Sequence, residues 1–202
     1  GGGAGGGEQK IVLCGWSNGA SVVVHALAGV GGRAGELGIA GAAALAAPFD
    51  MRLPSANLAR PFHRAVYDRA LVKAQLEKIS ALDFEARWGA DLPHVDFERV
   101  MASATLEDLE KALICPMFGH RDTADYYAHA SSKDSLASAR VPVLCLSSLD
   151  DPIAPGRGIP FAQAAQLPHV ALVVTRLGGH LGWVDGAWGR EAAWAEGVTL
   201  DF

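Results

Sequence analysis

The run Lys10-Ile11-Val12-Leu13-Cys14 is short, apolar and partly β-branched, and it ends in Gly15. That pattern predicts a buried strand over residues 10–14. Residues 18–29 then read as a helix, with Gly31-Gly32 placed to end it. Residues 38–47 (LGIAGAAALA) are ambiguous by periodicity, but Pro48 stops them, and a second buried strand is the expectation. The opening of the chain therefore reads as strand–helix–strand, the pattern of a parallel sheet.

After Phe49 the texture changes. Val66, Ala70, Leu71, Leu76, Ile79 and Leu82 recur among charged neighbours over residues 60–88, an amphipathic helical pattern. Residues 104–115 (ATLEDLEKALIC) predict a further helix, with Thr105 or Ser103 as its cap. No strand is expected between 50 and 138. The sheet pattern returns at residues 141–147 (VPVLCLS), with Pro142 at the strand start, where its missing N–H matters least. A helix is expected around 158–166, and then another buried strand over residues 169–175 (HVALVVT). A Gly178-Gly179-His180 turn follows, and a last helix over Ala187–Glu196 has Trp188 and Trp194 to pack it down. The expected organisation is a Gly-rich low-complexity start (1–9), a sheet core in two parts (10–48 and 139–202) and a helical insertion between them (49–138).

Composition narrows the function classes. Half of the 202 residues are hydrophobic, which suits one soluble globular domain with a sizeable core. The net charge is −5 and the Arg and Lys residues are scattered, so no basic stripe points to nucleic acid. Cys14, Cys115 and Cys145 are too few and too far apart for a disulfide framework or a zinc knuckle, and Cys14 and Cys145 fall within expected buried strands. That usage fits a reducing compartment. No span approaches the roughly 20 apolar residues of a membrane helix.

The candidate chemistry begins at Gly15-Trp16-Ser17-Asn18-Gly19, which matches G-x-S-x-G with a strand before it and a helix after it. In that context the serine occupies a strained, sharp turn, and side chains in place of the two glycines would collide with the neighbouring strand or helix. The turn directs the hydroxyl to the helix N-terminus, where N–H groups and the dipole favour negative charge. The bland alternative is that Ser17 merely caps the helix. A serine hydroxyl needs a base, and in this arrangement an acid and then a histidine should follow in chain order. Leu149-Asp150-Asp151-Pro152-Ile153 directly follows one late strand, and Gly178-Gly179-His180 directly follows the next. Both sit at strand C-terminal ends, the edge where open α/β sheets build their sites. Asp151 is preferred to Asp150 because D-P-I-x-P reads as strand end, acid, turn; the alternative is that either aspartate caps the helix beyond. His25 falls inside a helix, and His63, His94, His120, His129 and His169 are expected as surface or cap residues. No HExxH or acidic metal loop occurs, so neither a metal nor another cofactor is expected.

These residues resemble those of the α/β-hydrolase fold, and within it the YheT-like, embryogenesis-associated branch of esterase/lipase proteins. Beyond the three site residues, the resemblance rests on Ala47-Pro48-Phe49-Asp50, Val66-Tyr67-Asp68-Arg69-Ala70-Leu71, Phe118-Gly119-His120 with Asp125-Tyr126-Tyr127 and Ser131-Ser132, Asp150-Asp151-Pro152-Ile153, and Gly178-Gly179-His180-Leu181-Gly182-Trp183. It implies Ser17 as nucleophile, Asp151 as acid, His180 as base and the Asn18 backbone N–H as an oxyanion donor. Asn18 stands where the branch usually has Leu, and Leu109-Glu110 replaces a Phe-Asp pair. It also implies a mostly parallel sheet flanked by helices, with residues 49–138 as a helical cap. About four strands, and the loop with a second oxyanion donor, would lie upstream, so the chain is expected to be the C-terminal two-thirds of such an enzyme, its first strand left without an inner neighbour as a long, open apolar edge. Losing one oxyanion donor typically costs about 10²–10³ in turnover.

The activity implied is hydrolysis of short-chain esters or acyl lipids, with a small-molecule ester or lipid as partner. Any membrane association is expected through upstream residues. Two other readings stay open: an acyltransferase with the same triad, and a binding module or catalytically dead fragment.

Overall fold

The computed structural model describes residues 10–183 and 194–202. They form two compact units, one of the described residues up to Phe49 and from Ser131 on, the other Asp50–Ala130.

The first unit is built on four parallel strands in the order β1-β2-β3-β4: β1 (Ile11–Trp16), β2 (Ile39–Leu45), β3 (Val143–Ser148) and β4 (Val170–Thr175). The helix α1 (Asn18–Val30) connects β1 to β2 and ends where Gly31 takes a positive φ of 51°. Residues alternate across each strand, so the sheet has two apolar faces. Ala42, Ala44, Val143 and Cys145 pack with Ala20, Val24 and Leu27 of α1 on one face. Ala43, Leu45, Leu144 and Leu146 face the other way and meet Trp183 and Ala195. Across the sheet the register sets Cys14 beside Ala43, Ala44 beside Cys145, and Cys145 beside Leu172.

Only the middle of this sheet is buried as the apolar runs suggest. Every residue of β3 is buried, whereas β4 is half-buried along its length. At β1, an edge of the described sheet, Ile11, Val12, Cys14 and Trp16 are exposed, the open apolar edge expected of a first strand without its inner neighbour rather than the burial its apolar run alone suggests. An apolar run reports that a strand can be buried, while its rank in the sheet is a tertiary property. Cys14 is therefore not the core thiol expected; Cys145 is, and burial pushes its pKa up to about 12.

The second unit is helical, with no strand among its described residues. It comprises α2 (Arg52–Leu58), α3 (residues 61–81), α4 (Phe84–Trp88), α5 (Phe97–Met101), α6 (residues 106–118) and α7 (Thr123–Ala130). Its core joins Val72, Val100, Leu109, Ala112 and Leu113. The amphipathic stretch 60–88 is interrupted: Leu82 ends α3, and Asp83 is left-handed (φ 48°) before α4 begins. The helix α6 starts at Leu106 because Thr105 forms a capping box with Asp108, so Thr105 is the cap and Ser103 is not.

Both long helices widen into a π turn, at Arg64–Asp68 in α3 and Glu110–Ile114 in α6, and each turn carries a buried carboxylate. Asp68 Oδ1 accepts the Leu106 N–H at 2.9 Å, tying α3 to the start of α6. Glu110 Oε2 accepts the Tyr127 hydroxyl at 2.5 Å, tying α6 to α7.

Back in the first unit, the helix expected at 158–166 shrinks to a 3₁₀ turn at Gly156–Gly158 and to α8 (Phe161–Ala164), because Pro160 cannot continue a helix. The last helix, α9 (Trp194–Asp201), runs beyond the expected end at Glu196, with Trp194, Ala195 and Val198 packed against the sheet. Trp188 lies outside the described residues.

Candidate active site

Because the strands are parallel, the loops after β1, β3 and β4 all leave the sheet at its C-terminal edge. Ser17 directly follows β1. Its φ of 53° and ψ of −126° lie outside the ordinary regions for a residue with a side chain, the sign of a strained turn of about 1–3 kcal/mol. The Ser17 N–H donates to the Leu45 carbonyl at 2.8 Å and holds the turn against β2.

Gly15 makes that turn possible. A Cβ there would stand 2.4 Å from the Gly19 carbonyl oxygen and 2.8 Å from the Ala20 nitrogen, both backbone atoms of α1. Gly19 differs from expectation: a Cβ there would meet nothing within 4 Å, so the crowding is confined to the strand side of the elbow.

Ser17 occupies the N-cap position of α1, yet its side chain makes no capping bond. Its Oγ lies instead 2.7 Å from His180 Nε2, and His180 Nδ1 lies 2.8 Å from Asp151 Oδ2. With Asp151 Oδ2 accepting from Nδ1–H, the Nε2 lone pair is left to accept from the serine hydroxyl. The Asp151 carboxylate is withdrawn from water, its side chain 2% exposed. Its other oxygen, Oδ1, accepts the N–H groups of Ile153 at 2.7 Å and Ala154 at 2.8 Å. One residue thus shapes the turn after β3 and meets the histidine. Asn18 begins α1, and its N–H belongs to the first-turn donors that have no acceptor within their own helix.

Asp150, the alternative acid, is turned to a different task. Its Oδ1 accepts the Ser148 hydroxyl and, at 2.9 Å, the Gly179 N–H immediately before His180. The Ser148 bond first, and the Gly179 bond after it, hold this carboxyl below its usual range. The sequence carries no motif for this role beyond the aspartate doublet itself. A second brace lies behind the histidine turn: Trp183 Nε1–H donates to Thr175 Oγ1 at 2.8 Å, and the Gly182 N–H donates to the Gly178 carbonyl at 2.8 Å. A Cβ at Gly178, whose φ is +153°, would stand 2.2 Å from Trp183 Nε1.

Of the remaining histidines, His25 lies within α1 and His94 and His129 are exposed, as expected, whereas His63, His120 and His169 are partly buried. The His169 Nε2 lies 3.1 Å from the Leu136 carbonyl, and His25 Nδ1 lies 3.2 Å from the Ser135 hydroxyl. His120 is largely buried rather than a surface residue, and with Asp125 and His129 it forms a group of metal-ligating type in the helical unit. No helix among the described residues is long and apolar enough to cross a membrane.

Comparison with known proteins places this geometry in context. No family model matches the chain. The embryogenesis-associated protein EMB8 of Picea glauca is 32% identical over 205 residues, covering 96% of this chain and 42% of EMB8. The phospholipase ABHD3 of Bos taurus is 40% identical over 108 residues, 54% of this chain and 26% of ABHD3. The Escherichia coli (strain K12) protein YheT is 26% identical over 196 residues, 97% of this chain and 55% of YheT. The chain therefore spans about half the length of these relatives or less.

Proposed function

The chain has the α/β-hydrolase fold of the embryogenesis-associated, YheT-like branch, and from that premise we propose that it is a serine hydrolase cleaving carboxylic esters. The reading rests on one observation, the unbroken run of hydrogen bonds from Ser17 Oγ through the His180 ring to the Asp151 carboxylate.

In this reading Ser17 Oγ attacks the ester carbonyl carbon while its proton passes to His180 Nε2. Asp151 keeps the ring in the Nδ1–H tautomer and stabilises its charged form. The negative charge on the carbonyl oxygen faces the N-terminus of α1, where the Asn18 N–H donates to it. Collapse of the tetrahedral species expels the alcohol, which takes the proton back from Nε2 and leaves the acyl group on Ser17. Water then repeats the cycle and releases the acid. Asp150 positions His180 through its hold on Gly179.

Short-chain esters or acyl lipids are the proposed substrates; the phospholipase name of ABHD3 supports an acyl lipid. Residues 10–48 and 139–202 form the catalytic core in this reading, and 49–138 an inserted helical cap.

The test is hydrolysis of p-nitrophenyl esters of increasing acyl length by the chain and by Ser17→Ala, with circular dichroism on both. Turnover by the parent chain above the Ser17→Ala rate supports the proposal. A folded parent chain no faster than Ser17→Ala contradicts it. Adding an alcohol acceptor separates release of free acid from acyl transfer.

A further inference from the structure

One group of side chains away from the triad has the make-up of a ligand set. The helix α6 ends at Gly119, left-handed at φ +74°, and the His120 N–H closes the turn on the Cys115 carbonyl at 2.9 Å. Asp122 Oδ1 then accepts the Asp125 N–H at 2.8 Å in the first turn of α7. These two backbone devices set the starting points of the His120 and Asp125 side chains. His129 follows one helical turn after Asp125, on the same face.

The three side chains converge. His120 Nδ1 lies 3.6 Å from Asp125 Oδ2, and His129 Nδ1 lies 3.7 Å from Asp125 Oδ1. One ligating atom from each residue lies within 4.8 Å of the other two. These separations are longer than hydrogen bonds. Ligands of a tetrahedral zinc ion, bound at 2.0–2.1 Å, sit about 3.4 Å apart, so the two histidine–aspartate pairs are nearly at that spacing and the two imidazoles close the rest of the 4.8 Å span. His129 is the member able to make that move, since its side chain is 68% exposed while those of His120 and Asp125 are held largely buried at 17%. The His129 Nδ1 also lies 2.8 Å from the Asp125 carbonyl. An ion taken up at Nδ1 gives up that contact, which an exposed imidazole can exchange.

We propose that His120, Asp125 and His129 bind a divalent transition-metal ion such as Zn²⁺ or Ni²⁺, with water completing its coordination. Two imidazoles and one carboxylate suit these ions, whereas Mg²⁺ and Ca²⁺ favour all-oxygen sites. The Asp125 carboxylate is also anchored from its own turn, Oδ2 accepting the Arg121 N–H at 3.2 Å. The competitor is the Arg121 guanidinium, 3.4 Å from Asp125 Oδ1. Its side chain is 84% exposed, and an exposed ion pair of this kind is readily displaced by a dication. The bound ion would clasp the turn between α6 and α7, alongside the Glu110–Tyr127 hydrogen bond.

Isothermal titration of the untagged, metal-stripped chain with Zn²⁺ tests this, with Mg²⁺ titrated in parallel. Cobalt(II) absorption reports coordination by nitrogen and oxygen. The expected result is one Zn²⁺ per chain with Kd of about 10 µM or tighter. Affinity falls at least about tenfold in His120→Asn and in His129→Gln, and is unchanged in His180→Asn. The exposed His129 keeps the test clear of misfolding, and circular dichroism checks each variant. No binding by the parent chain, an equal response to Mg²⁺, or full affinity retained in both His120→Asn and His129→Gln overturns the proposal.

Discussion

The Asp150 carboxylate accepts the Gly179 N–H at 2.9 Å, one residue before the histidine whose ring meets Asp151. Adjacent aspartates at the end of one strand thus hold the same turn, one by its backbone and one by its imidazole. Asp150→Ala removes the backbone hold without touching Ser17, His180 or Asp151. A displacement of the ring by about 1 Å typically costs about 10²-fold. The expected outcome is a 10- to 100-fold slower acylation of Ser17 with unchanged circular dichroism, and substantial recovery in Asp150→Asn, which keeps an acceptor oxygen. Equal rates in the parent chain and Asp150→Ala would remove the positioning role.

The two elbow glycines are predicted to respond in opposite directions. A Cβ at Gly15 meets the backbone of α1 at 2.4 Å, which no side-chain rotation relieves. Gly15→Ala is expected to lose at least about 2 kcal/mol of stability in urea unfolding. Gly19 lies within α1 with open space beside it, so Gly19→Ala gains helix propensity and is expected to be neutral or stabilising by about 0.5–1 kcal/mol. Comparable losses in the two variants would contradict the geometry assigned to the elbow.

Glu110 makes the helical unit sensitive to pH. Burial, first among its causes, raises its carboxyl from 4.5 to about 7, against the opposing hydrogen bond from Tyr127. A folded-state pKa above the unfolded value means that the folded unit holds the proton more tightly. Its contribution is complete below about pH 4.5 and is lost as pH rises through about 7. The full effect is at most about 3 kcal/mol. Thermal unfolding should therefore fall between pH 5 and pH 8 more steeply for the parent chain than for Glu110→Gln. Identical pH slopes would show that Glu110 does not carry this linkage.

Much of the first unit was legible along the chain. Short apolar runs with β-branched members mark β1, β3 and β4, and turn residues mark where each ends. Ser17, Asp151 and His180 were legible as positions because each lies in the loop that follows such a run. What escaped was set by tertiary neighbours. The exposure of Cys14 depends on the rank of β1 in the sheet, which periodicity does not encode and which the family resemblance, with its upstream strands, points to instead. The segmentation of residues 60–88 turns on local backbone events at Leu82 and Asp83. The positioning contact of Asp150 joins residues 29 apart and depends on how two loops meet. His120 is expected as a surface or cap residue because it follows no strand; the Gly119 turn carries it inward.

The most direct test of the account is labelling of the chain by a fluorophosphonate probe, which reacts with a serine only when a neighbouring base has activated it. Stoichiometric labelling mapped to Ser17 is expected, absent in Ser17→Ala and strongly slowed in His180→Asn, with all three proteins folded by circular dichroism. A folded parent chain that takes no label, or that labels equally well without Ser17 or His180, would contradict it.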